Sequence, residues 1–141
     1  MRLDPETALA RLAAADHGIL CTMHPERGVD AVPVAFAVGD GVLGIPVDRV
    51  KPKSSLRLQR EQNLESDPRA TLLVEQWDRE DWSRLWWVRA ELRWEAHPSG
   101  DRVAALAASL ADRYPQYSDH PFERVLVLAV VGIYGWAATG A

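Results

Sequence analysis

The sequence predicts a mainly β protein: an antiparallel barrel or sandwich with helices on its flanks. Apolar residues alternate with a period of two in the stretches 29–38 and 85–96, as they do in strands with one buried face. The first of these runs through a glycine turn directly into a further apolar stretch, 42–47, with no helix between them. That arrangement argues against a parallel α/β sheet. Helical periodicity is confined to three segments.

The first helix starts at Asp4-Pro5-Glu6, with Asp as N-cap, Pro at the first helical position and Glu near the positive end of the dipole. Leu9, Leu12 and Ala13 are its expected apolar stripe, and His17-Gly18 its end. A short strand, Ile19 to Met23, leads to a turn at 24–28. In the strand from Val29 to Val38, Val32, Val34, Phe36 and Val38 share one face; Ala31, Pro33, Ala35 and Ala37 make the other, with room for something flat against the backbone or for a packed helix. Pro33 lacks a ladder N–H and belongs at an edge or an interruption. Gly39-Asp40-Gly41 is a hairpin to the third strand, Val42 to Val47, which contains Pro46.

Between Arg49 and Arg60 stand five basic residues (Arg49, Lys51, Lys53, Arg57, Arg60) and no acidic one, in a chain of net charge −4. Pro52 excludes a helix interior there, and Ser54 or Ser55 is the expected cap of a helix reaching about Ser66, ended by Asp67-Pro68. Free helix N–H groups, hydroxyls and ammonium groups together bind phosphate or carboxylate oxygens. A solvated basic helix accounts for the charge pattern equally well; the position after a proline-interrupted meander favours the anion corner.

Ala70 to Trp77 is the fourth strand and Leu85 to Ala96 the fifth. Trp86, Val88, Ala90, Leu92 and Trp94 face the core, which sends Trp87 to the opposite face beside Arg89. His97 to Asp101 breaks the strand and caps a helix with the stripe Val103, Leu106, Ala107, Leu110, Ala111 and Tyr114. The apolar run Val125 to Val131, continued to Trp136, is a central strand.

At 141 residues the chain reads as one domain, 1–141, large enough to bury a core. The single cysteine, Cys21, rules out an intrachain disulfide and is expected as a buried core thiol. The first residues lack the apolar segment of a signal peptide, and the longest apolar run is too short to span a bilayer, so a cytoplasmic protein is expected. An acidic balance, with pI near 5.5, excludes global affinity for nucleic acid. CxxC, HExxH, GxGxxG, Walker and GxSxG patterns are all missing, so no metal is expected and redox chemistry would need a borrowed cofactor.

Four motifs in order carry a resemblance: Val32-Pro33-Val34-Ala35-Phe36; Val47-Asp48 leading to Lys51-Pro52-Lys53; Asn63-Leu64 with Asp67-Pro68-Arg69-Ala70; and Trp82-Ser83-Arg84-Leu85-Trp86-Trp87-Val88-Arg89. From about Leu9 to Trp136 the chain resembles the split β-barrel flavin-binding family related to pyridoxamine 5′-phosphate oxidase, and within it the branch that binds the deazaflavin coenzyme F420. The resemblance implies an FMN-binding-like antiparallel split β-barrel that forms a homodimer, with the cofactor at the dimer interface. It implies that Pro33, Val34, Ala35 and Val47 hold the ring, largely through backbone groups. Lys51, Lys53, Ser54, Ser55, Arg57 and Arg60 would take the phosphate and acidic tail, with Asn63 nearby. Trp87 and Arg89 would reach the site from the same or the partner subunit. The implied activity is hydride transfer to or from a small organic substrate, with no catalytic residue named. FMN in place of F420, or a non-catalytic flavin- or tetrapyrrole-binding protein, are the alternatives; neither nucleic acid nor membrane is an expected partner.

Overall fold

The computed structural model describes residues 1–48, 58–119 and 122–139; Lys51, Lys53, Ser54, Ser55 and Arg57 of the basic stretch lie outside them. Helix α1, Pro5–Ala14, has the expected cap, with the Asp4 carboxylate accepting from the Thr7 N–H at 2.8 Å. Its buried stripe is Ala8 and Leu12 rather than Leu9, Leu12 and Ala13, and Leu9 is exposed. The helix lies across β6 (Trp86–Trp94) and β7 (Phe122–Ala137), and the i, i+4 pair Ala8/Leu12 is the side turned towards them.

Among the described residues seven strands form one antiparallel sheet in the order β2-β1-β5-β6-β7-β4-β3. Its members before β6 are β1 (Gly18–His24), β2 (Gly28–Val34), β3 (Ala37–Gly39), β4 (Val42–Asp48) and β5 (Arg69–Gln76). The alternating stretch 29–38 is thus two strands, not one. β2 pairs with β1 and β3 with β4, and they occupy opposite edges of the sheet. Laid flat, seven strands would put those edges about 29 Å apart. Residues 35 and 36 bridge a Cα distance of at most about 11 Å between Val34 and Ala37. The sheet must therefore curl until its edges meet, which makes it a split barrel.

Phe36 sits at that crossover with no exposed surface. Its N–H donates to the Tyr114 hydroxyl at 3.3 Å, and the Arg113 guanidinium lies 5.3 Å from its ring centre. Arg113 also donates to the carbonyls of Ala13 and Ala15. The end of α3 (Gly100–Arg113) thereby ties the crossover to the end of α1. At Gly44 an added Cβ would come within 3.0 Å of Leu106, so glycine lets α3 rest on β4. The β3–β4 hairpin turns through Asp40 and Gly41 at φ 49° and 75°, the backbone of a tight primed turn.

Pro33 is on edge strand β2 as expected, and Pro46 lies beyond Gly44, where the pairing with β3 ends. Both avoid breaking a two-sided ladder. β7, 16 residues long, pairs with both β4 and β6. Cys21 corrects an expectation: it is half-buried on the outer face, not in the core, and burial pushes its thiol pKa up. No described helix is long and apolar enough to cross a membrane.

The described part of the second helix is α2, Gln59–Ser66, with Leu58 and not a serine at its N-cap. Asp67 ends it, accepting from Arg69 through Nε at 3.0 Å, Nη2 at 2.7 Å and the backbone N–H at 3.1 Å. The Arg69 side chain, then its N–H, lower the Asp67 pKa from 3.8 to about 2. A carboxyl depressed on folding contributes stability above its unfolded pKa, and that contribution is lost as pH falls through its folded one, here through about 2. An NMR titration should place the Asp67 midpoint near 2, and Arg69→Gln should return it towards 3.8. A midpoint already at 3.8 in the unaltered protein would mean that the pair does not hold in solution.

Candidate cofactor site

The structure divides the expected site residues between the two faces of the sheet. On the outer face, register places Pro33 opposite Ile19, Ile19 opposite Leu73, Leu73 opposite Arg89 and Arg89 opposite Tyr134. Cross-strand partners share a face, so these residues form one row across five strands. The next row carries Glu75, Trp87 and Trp136. Arg89 lies 5.4 Å from the Trp87 ring centre and 5.3 Å from that of Tyr134, a guanidinium held between two aromatic faces. Tyr134 and Trp136, each 37% exposed, were missed by the sequence reading. Their spacing of two along an apolar run was the signal, since it puts both on one face of β7.

Asn63 belongs to the opposite face. Its side chain is fully buried and donates to the Thr22 hydroxyl at 3.0 Å and to Asp30 at 2.8 Å. Its oxygen accepts from Gln59 at 2.9 Å. Thr22 and Asp30 are register partners on the side of β1 and β2 away from Ile19 and Pro33. The amide therefore staples α2 to the β1–β2 hairpin. The Asn63 hydrogen bond, reinforced by Arg27, holds the Asp30 carboxyl below its usual range.

Val34 and Val47 are core side chains, so only their backbone can meet a ligand. Ala35 is half-buried in the β2–β3 crossover, and Arg60 half-buried on α2. The next residue, buried Glu61, accepts from Arg124 Nε at 2.8 Å and Nη2 at 2.5 Å. Arg124 is the register partner of Val47. Glu61 and Val47, on either side of the basic stretch, thus both meet one residue of β7.

A flavin-type ring needs a flat apolar wall and a cation or donor for its polar edge. Pro33, Ile19 and Leu73 would supply such a wall and Arg89, oriented by the two rings, the cation. The residues present fit the group.

No protein-family model matches this chain, and no curated protein sequence matches it. Solved structures do. A conserved hypothetical protein from Mycobacterium tuberculosis superposes with a TM-score of 0.75 at 20% identity, over 96% of this chain and 86% of that one. An FAD-binding protein from Mesorhizobium loti gives 0.72 at 14% identity, over 96% and 93%. A candidate pyridoxamine 5′-phosphate oxidase from Corynebacterium glutamicum gives 0.58 at 17%, over 96% and 94%. This chain has their fold. The match bears out the expected mainly β, split-barrel architecture with flanking helices.

Proposed function

We propose that this protein is an oxidoreductase that binds a flavin-type cofactor, coenzyme F420 in the leading reading and FMN in the second. The observation that carries the proposal is the outer-face row from Pro33 to Tyr134, with Arg89 held between Trp87 and Tyr134. The flavin-binding character of a protein sharing the fold supports it. Pro33, Val34, Ala35 and Val47 would hold the ring through backbone groups. Lys51, Lys53, Ser54, Ser55, Arg57 and Arg60 would take the anionic tail, with Asn63 acting one step back by holding α2 in place.

The bound cofactor supplies two-electron chemistry. The chain contributes position and polarity: Pro33, Ile19 and Leu73 present a dry wall, and Arg89 offers charge-assisted donors towards a polar edge. Several basic groups suit an extended acidic tail better than a single phosphate, which favours F420 over FMN. Tyr134, Trp136 and Val131 are exposed on the outer face, and a second copy of the chain is the proposed cover, making the protein a homodimer.

Titrating the purified protein with F420 and with FMN, followed by cofactor fluorescence, tests the reading; sedimentation of the same samples tests the dimer. F420 should bind more tightly, and Lys53→Ala should weaken it by about 1.5–3 kcal/mol, as for a charged hydrogen bond. Tight FMN binding without F420 binding overturns the leading choice, and binding of neither overturns the function. Unchanged affinity in the variant removes Lys53 from the site.

A further inference from the structure

The turn between β1 and β2 is held by a side chain that can change its charge. His24, the last residue of β1, turns its Nδ1 onto the two N–H groups that follow Pro25. Those of Glu26 and Arg27 each donate to it at 3.0 Å. Asn and Asp side chains hold turns in the same way through an oxygen. An imidazole can do so only while Nδ1 carries no proton, because both nitrogens of an imidazolium are donors.

What this turn positions is Arg27. Its Nε and Nη2 donate to Asp30 Oδ1 at 3.3 and 3.1 Å, and Nη2 also donates to Oδ2 at 2.9 Å. Asp30 Oδ2 accepts in addition from the buried Asn63 amide of α2 at 2.8 Å. Strand alternation puts His24 on the same face of β1 as Thr22, the face that meets Asn63. The charged groups around the imidazole are Glu26, Arg27 and Asp30 on the hairpin, Arg60 and Asp67 on α2, and Arg69 on β5. Arg60 and the C-cap Asp67 flank Asn63 at spacings of three and four, and Arg69 adjoins Ala70, the register partner of Thr22. Asp67 and Arg69 bind each other. The His24 charge acts on Asp30, where it helps to lower the carboxyl's pKa after the Asn63 and Arg27 hydrogen bonds.

We propose that His24 is a pH-sensitive latch between the β1–β2 hairpin and α2. Neutral, it holds the turn that aims Arg27 at Asp30. Protonated, it has no lone pair for the two amides, so the turn opens, and the imidazolium competes with Arg27 and Asn63 for Asp30. Acid thereby loosens α2 from the hairpin. Because α2 carries Arg60 and follows the basic stretch, a bound cofactor's anionic tail would be held less tightly in acid. That consequence rests on the cofactor reading above; the latch does not.

Two-dimensional NMR spectra of the full chain between about pH 8 and pH 5 span the range in which imidazole changes charge. The Glu26 and Arg27 N–H groups and the Asn63 side-chain amide should shift together, with the midpoint of the His24 ring protons. In His24→Asn, whose side-chain oxygen accepts throughout this range, the same three signals should stay in place. His24→Ala should show the open-turn shifts of Glu26 and Arg27 already at the alkaline end. The latch is overturned if His24 titrates and the three signals do not follow. It is equally overturned if they follow in His24→Asn, or if the ring stays neutral to the acid end. F420 and FMN affinities are measured in parallel. At the acid end the bound cofactor should be held about fivefold more tightly by His24→Asn than by the unaltered protein, the scale of one hydrogen bond. Equal affinities there would sink the consequence for the cofactor and leave the latch standing. Moving signals in a protein that takes up neither cofactor would support the latch and sink the cofactor reading alone.

Discussion

Replacing Phe36 with alanine is expected to lower the unfolding free energy by about 3–5 kcal/mol, the range for deleting a buried aromatic side chain. Phe36 is fully buried and belongs to the main core cluster with Leu20, Leu43, Leu72 and Leu128. It also stands where the two edges of the sheet are joined, under Arg113 and beside the Tyr114 hydroxyl. A cavity there removes contacts from both edges at once, and collapse is limited because α3 is anchored to the end of α1 by Arg113. Urea denaturation should show a lower midpoint with an unchanged slope. Phe36→Leu, which keeps most of the volume, should cost less than about 1.5 kcal/mol. A loss for alanine no larger than that for leucine would mean that the crossover is not packed as described.

Asn63→Ala is expected to cost about 2–4 kcal/mol, from one or two buried polar groups left unsatisfied at about 1–3 kcal/mol each. The amide makes three hydrogen bonds, to Thr22, Asp30 and Gln59, in a site with no exposed surface. Losing the bond that does most to depress Asp30 should also raise that carboxyl's pKa towards its usual value, which an NMR titration reads directly. A stable variant with an unmoved Asp30 would show that α2 is held by other contacts. A stable variant with weakened cofactor binding would instead put Asn63 in contact with the ligand.

Much of the fold was legible because its signals are local. The alternation of Val88, Ala90 and Leu92 with Arg89, Glu91 and Arg93 placed β6 and its buried face correctly. Asp4 announced the first helix, and the segment 97–101, in which Ser99 is the cap, the third, because a cap acts within one turn. The break at Ala35-Phe36 left no such trace, since alternation continues straight through it. Only the choice of partner changes there, and partners are distant in sequence. The outer-face placement of Trp87 and Arg89 was readable from strand parity. The burial of Asn63 was not, because Thr22 and Asp30 reach it from another element.

What the sequence by itself determined is the mainly β character, most of the elements, the buried face of β6 and the presence of a basic stretch suited to an anion, all consequences of periodicity and composition within a few residues. The tertiary structure decided that β2 and β3 lie at opposite edges of one closed sheet, that Pro33 and Arg89 share a row, and that the end of α1 closes a hollow against β5 and Trp86. Those facts depend on which strands pair and in what register. Register is set by how all the buried faces pack together, and no local pattern encodes it alone.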